Sequence, residues 1–248
     1  VLSGTSGALY YKPAGTVGTF GTSNVTIGTE TIVVQSYLNL KVGDPVQFKV
    51  INSQTGGSGT GTLPAGLSAG TTYYVNAYTA ATGALKVSAT NGGSAVDLTD
   101  VGTAASPNEF EVFYDDYAAV GQVQSWSFEV TRSEIDVTTI GGTIGQYAPF
   151  KTYISGFADG TGTASVYVTD EDSALSNRMV EDVLQRQQVG AAFKLYQDKQ
   201  ATEALSRSIS MDAVLLGATF NINAEDSQIV EVSFRPTNTP NFDFSTSS

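Results

Sequence analysis

Apolar and polar residues alternate along much of this chain with a period of two, the spacing of a strand with one buried and one wetted face. Gln124, Trp126, Phe128 and Val130 fall on one side of such a strand, and Ser125, Ser127, Glu129 and Thr131 on the other. Val46, Phe48 and Val50 line one face of residues 45–51. Shorter runs occupy residues 8–11, 31–40, 71–78, 85–89 and 95–98, separated by turn residues such as Gly, Pro, Asn and Asp. Residues 164–169, 191–197, 207–222 and 228–235 complete the set, and Pro236 and Pro240 mark a loose tail.

One segment breaks the period. Leu175, Met179, Val180, Val183 and Leu184 recur at helical spacing, with Asn177, Arg178, Glu181, Asp182 and Gln185 on the other side. This predicts an amphipathic helix of roughly 15 residues. Thr169 and Asp172 have capping-box spacing, with Asp for the usual Glu, and Asp170, Glu171 and Asp172 suit the positive end of the helix dipole. Gly190 suits the C-terminal cap. Between two of the strands, residues 133–162 read as a Gly- and Thr-rich loop of about 30 residues. Ile135, Val137, Ile140, Ile144, Tyr147, Phe150, Tyr153, Ile154 and Phe157 are too many apolar residues for a disordered linker, so this loop is expected to pack on a neighbouring subunit.

The order is therefore strand, β module, strand, long loop, strand, helix and three strands. It predicts a mainly β fold: an antiparallel β-sandwich or barrel with one α-helix, interrupted by a small all-β domain, Ig-like or barrel. The texture of short strands and turn clusters places the inserted domain at residues 22–113. Residues 1–21 and 114–248 form the host domain.

Composition narrows the chemistry more than the fold. The 248 residues include no Cys and no His, which excludes disulfides, thiol chemistry and imidazole acid–base work. A formal charge of −12 opposes the gripping of phosphates, because that affinity comes from cationic groups displacing counterions. No apolar run approaches the roughly 20 residues of a membrane-spanning helix. Acidic pairs stand at Asp97/Asp100, Asp115/Asp116, Asp170 to Asp172 and Glu225/Asp226. In turns such carboxylates ordinarily accept backbone hydrogen bonds, and none has the spacing of a calcium loop. Gly56-Gly57-Ser58-Gly59 lacks the Lys-Ser/Thr of a phosphate loop. Trp126, alternating with Phe128 and Val130, reads as core rather than as a sugar platform. No catalytic, cofactor or metal site is expected, and the chain does not read as an enzyme.

Two stretches resemble known protein families. The segment VQSWSFEVTRSEID at residues 123–136, the Gly160-Thr161-Gly162-Thr163 that closes the loop, and the helix from Asp172 form one set with MDAVLLGATFNINAEDSQIVEVSFRPTN. In texture and order this resembles the major tail tube protein of siphophages, over roughly residues 117–240 plus the opening strand. The phrases VGDPVQFKV, LPAGLSAGTTYYV and LKVSATNGGSAVDLTDVGT resemble a small β module that recurs in phage structural proteins.

The resemblance implies a tail-tube-type fold and a virion structural role in the phage tail, assembled in the host cytoplasm. Subunits would form hexameric rings whose inner sheets join edge to edge around a lumen, and the rings would stack through the long loop. Partners would be further copies of the chain and the tape measure, terminator and baseplate proteins, while DNA passes through without specific binding and no membrane is involved. Lumen-facing candidates are Ser125, Ser127, Glu129 and Thr131, with Glu231 and Asp212 from other strands. Inter-ring candidates are Ile135, Val137, Ile140, Ile144, Tyr147, Phe150 and Tyr153. The helix would cover the outside of the sheet, and the inserted domain would project outward. Alternative readings are a tail terminator, a baseplate hub or a contractile inner tube of the same fold. From another class comes a carbohydrate-binding or host-adhesion module that uses Tyr73, Tyr74 and Tyr78.

Overall fold

The computed structural model describes residues 7–52, 59–104, 109–121, 123–136, 153–169, 174–184, 190–221 and 227–244. The first part of the chain forms β1 (Ala8–Lys12), β2 (Gly18–Phe20), β3 (Val25–Thr26), β4 (Thr31–Val33), β5 (Pro45–Val50), β6 (Tyr73–Thr79), β7 (Ala84–Ser88) and β8 (Phe110–Tyr114). The rest forms β9 (Ala118–Ala119), β10 (Val123–Asp136), β11 (Tyr153–Tyr167), α1 (Leu175–Leu184), β12 (Ala192–Asp198), β13 (Arg207–Asn221), β14 (Ile229–Pro236) and β15 (Asn241–Phe244). The fold is mainly β, with two antiparallel sheets and, among the described residues, one α-helix. An eight-stranded sheet runs β10-β11-β14-β13-β12-β1-β9, with β15 on β13, and a seven-stranded sheet runs β2-β8-β5-β6-β7-β4-β3.

Each sheet buries its own core. In the eight-stranded sheet Leu9, Tyr11, Phe193, Leu195, Met211, Leu215, Val230, Val232 and Phe234 are buried together. The Phe234 ring stacks on Phe193 at 4.2 Å and on Phe128 at 6.4 Å, tying β14 to β12 and β10. In the other, Phe20, Phe48 and Phe110 meet edge-on or tilted at 5.3–6.0 Å among buried Val46, Val112, Ile32 and Leu85.

Several expectations change. Residues 133–136 and 153–162, read as loop, are strand: β10 and β11 pair from Val123↔Val166 out to Asp136↔Tyr153. The glycines that suggested a loop have a packing reason. A Cβ on Gly162 would lie 2.2 Å from the Phe234 ring, so this strand position has to stay bare. Gly18–Phe20 pairs with β8, so the first crossing into the seven-stranded sheet falls before Gly18 rather than after residue 21. The tail at residues 241–244 is ordered as β15 on Arg207–Ser210. Of residues 31–40, only Thr31–Val33 is strand, and Tyr37 sits in the left-handed region at φ 63°.

The helix differs most from its reading. Met179 and Val180 enter the core as expected, but Ser176, Arg178 and Asp182 on the polar side are fully buried as well, while Leu184 is exposed. Arg178 and Asp182 reach the segment between β4 and β5. Arg178 Nη1 donates to Asp44 Oδ1 at 2.5 Å, Nη2 donates to the Asn39 carbonyl, and the guanidinium lies 5.9 Å from the Tyr114 ring centre. One Asp182 oxygen accepts from the Tyr11 hydroxyl and from the Ala14 N–H at 3.0 Å, and the other accepts from Asn39 Nδ2 at 2.6 Å. A half-buried pair, Lys41 to Glu181 at 2.7 Å, closes the rim. Asp170, Glu171, Asp172 and Gln185 lie outside the described residues.

Candidate functional site

The strand register builds one continuous polar surface. Ser125 pairs with Ser165, Ser165 with Glu231 and Glu231 with Thr219. The next row is Ser127, Thr163, Ser233 and Gly217, and beyond it Glu129 faces Thr161 and Thr131 faces Asp159. Alternation from Val214↔Arg235 puts Asp212 on this same side. All the polar candidates read from the sequence thus share one face of the layer β10-β11-β14-β13. Ser125, Ser127, Glu129, Thr131, Asp212 and Glu231 are exposed there. The Ser127 and Thr163 hydroxyls bond across the strands at 2.8 Å. The opposite face carries Trp126, Ala164, Val232 and Ala218 toward the core, with Trp126 only partly covered. Among these outward positions Glu129, Asp159, Glu231 and Asp212 set four carboxylates against one guanidinium, Arg235, which stands 3.7 Å from Asp159.

This layer has two bare edges. β10 pairs only with β11, so the outer edge of its 14 residues meets no described strand. β13 changes partners midway. Its first half lies between β12 and β15, whereas residues 214–221 have β14 on one side and no described strand on the other. A long exposed edge presents unpaired N–H and C=O groups and is a template for another strand. The seven-stranded sheet contrasts with this: its edge strands, β2 and β3, have three and two residues.

Past the Gly162↔Phe234 pair β11 no longer pairs with β14, and β10 and β11 continue as a two-stranded arm. Along it Ile135, Tyr153, Val130 and Ile154 are about half exposed, and Phe157 is 91% exposed. Ile135 and Tyr153, read as inter-ring candidates, are thus exposed on this arm. Val137, Ile140, Ile144, Tyr147 and Phe150 lie outside the described residues. Val130 was read as part of a buried face. It is 48% exposed, beyond the last pairing of β11 with β14.

Other candidates dissolve into structure. Asp100 accepts from the Ala65 and Gly102 N–H groups, which hold its carboxyl below the usual range, and Asp115 accepts from Gln47 and Thr72. Tyr73 is buried, with its hydroxyl taking the Ser68 N–H, and the Tyr78 hydroxyl takes the Leu38 N–H, so the three tyrosines make no open aromatic platform. Among the described residues no group of three or more acidic side chains is placed to hold a metal ion. No described helix is long and apolar enough to cross a membrane. An open cleft of about 710 Å³ lies between β1, β9 and the start of β10, beside Tyr10, Trp126 and Tyr196.

No family model matches the chain. No curated protein matches it either. Solved structures similar to it include the following three. The virion of a native gene transfer agent particle aligns at a TM-score of 0.39 and 8% identity, covering 51% of this chain and 88% of that one. The tail of an empty particle of the same kind, refined with sixfold helical symmetry, aligns at 0.39 and 8%, covering 51% and 85%. The SPP1 tail tube, a hybrid structure from solid-state NMR and electron cryomicroscopy, aligns at 0.38 and 11%, covering 52% and 68%.

Proposed function

We propose that this chain is a structural subunit of a phage tail tube. Copies form hexameric rings by adding the bare edge of β10 to the bare half of β13 in the next copy, and the rings stack through the β10–β11 arm. The observation that carries this reading is a layer that is apolar behind, polar in front and unpaired at both edges. Edge-to-edge addition satisfies the unpaired backbone groups and, repeated around an axis, closes a cylinder. The polar face then becomes the lumen, with Ser125, Ser127, Glu129, Thr131, Asp212 and Glu231 along its wall. Its excess of carboxylates repels a passing polyanion, as a conduit requires. The arm, with Ile135, Tyr153, Ile154 and Phe157, meets the adjoining ring, and the seven-stranded domain stands outside.

Negative-stain microscopy of the concentrated protein tests this. Rings or tubes are the expected particles. A strictly monomeric particle at every concentration, one that also fails to join tubes with other tail components, would refute the assignment.

A further inference from the structure

The chain crosses between its two sheets twice, through residues 13–17 and 115–117. Two short crossings alone make a hinge. In this molecule the space beside them is filled by charged side chains from both sides, removed from water. Arg178 comes from α1, which packs on β13 and β14, whereas Asp44, Asn39 and Tyr114 come from the seven-stranded domain. Asp182, four residues along the same helix face, gathers Tyr11 of β1, Ala14 of the crossing and Asn39 of the other domain around one carboxylate. The crossing itself is held down, with Pro13, Ala14 and Thr16 buried and the Asn39 N–H bonded to the Gly15 carbonyl at 2.9 Å.

We propose that Arg178 is a latch: it reaches from the helix of the eight-stranded domain to Asp44 and Asn39 and locks the seven-stranded domain at one fixed angle, so that the two move as a single body. The physical reason is an asymmetry. A guanidinium buried with its carboxylate and carbonyl partners is tolerated, but swinging the domain away would leave both charges without partners at a closing or poorly wetted seam. Apolar packing alone, being non-directional, would let the seam slide; a forked guanidinium fixes its angle as well as its distance. Lys41 and Glu181 repeat the cross-domain pairing at the rim, where water screens it. The inference stands whether or not the chain forms rings.

The sequence has no cysteine, so a pair introduced at Ile27 and Leu205, both about half exposed and one in each domain, takes spin labels cleanly. In the otherwise native full chain, kept dilute, the distance between labels is expected to be a single narrow peak. A broad distribution there would overturn the proposal. Adding Asp44→Asn is expected to abolish the single peak while circular dichroism keeps its strand signature. A peak that stays narrow in that variant would show that the ion pair is not the latch. Should Asp44→Asn fold poorly, Arg178→Met combined with Asp44→Asn removes both members of the pair, and the same loss of the narrow peak is expected from it.

Discussion

A single missing methyl decides how β11 runs. Gly162 lies under the Phe234 ring, which in turn stacks on Phe193 and Phe128, so a side chain there would push apart the contact that joins both layers. Gly162→Val is expected to cost about 1–3 kcal/mol in urea unfolding, as overpacking does. Asp182 gives a second residue-level test. Burial pushes its carboxyl up to about 6, partly offset by the Tyr11 and Ala14 hydrogen bonds and the Arg178 charge. An acid whose folded-state value is raised destabilises the fold while ionised, so stability is expected to rise as pH falls from about 7 through about 6 toward 4. Asp182→Asn should remove that share of the slope in unfolding curves at several pH values, while Asp44, raised by burial in the same direction, keeps its own. None of this was legible beforehand. Arg178 and Asp182 have the spacing of a wetted helix face, and their partners lie 134 to 171 positions away.

Strand interiors were readable, and strand ends were not. Alternation found β5, β10 and β14 because each has a core on one side only. The first half of β11 escaped because Gly156, Gly160 and Gly162 erase the pattern, and β15 escaped because it follows Pro240. The arm that results has apolar side chains on a ribbon with no third described strand. Replacing Phe157 and Ile154 together by Ser is expected to leave unfolding free energy within about 0.5 kcal/mol, as for other exposed positions. On the tube reading the same change abolishes stacking, and microscopy of the variant beside the native chain would separate the two effects.

At the scale of the whole molecule, the two antiparallel sheets and one α-helix of the described residues match what the sequence order predicts. The polar candidates all reach one face because strand register, once set by a buried side, carries every other residue with it. Partner strands were beyond reading, since sheet order depends on pairings distant in the chain. The charge of that face makes its own prediction. On the tube reading, Glu129→Lys with Glu231→Lys is expected to leave the fold and the rings intact, yet make assembled tubes retain DNA in low-salt sedimentation that the native tubes release. Retention by the native tubes as well would remove the conduit argument.

The arm has one more consequence, for the timing of assembly. A two-stranded ribbon is marginal in water on its own and gains order from whatever covers it. On the tube reading the first ring therefore has no cover for its arms, while every later ring adds to a surface that is ready. Growth of this kind has a costly nucleus and a cheap elongation step. Purified subunits should show a lag and a threshold concentration, and short preformed fragments added as seeds should eliminate the lag. Tube length would then follow from how often growth is started.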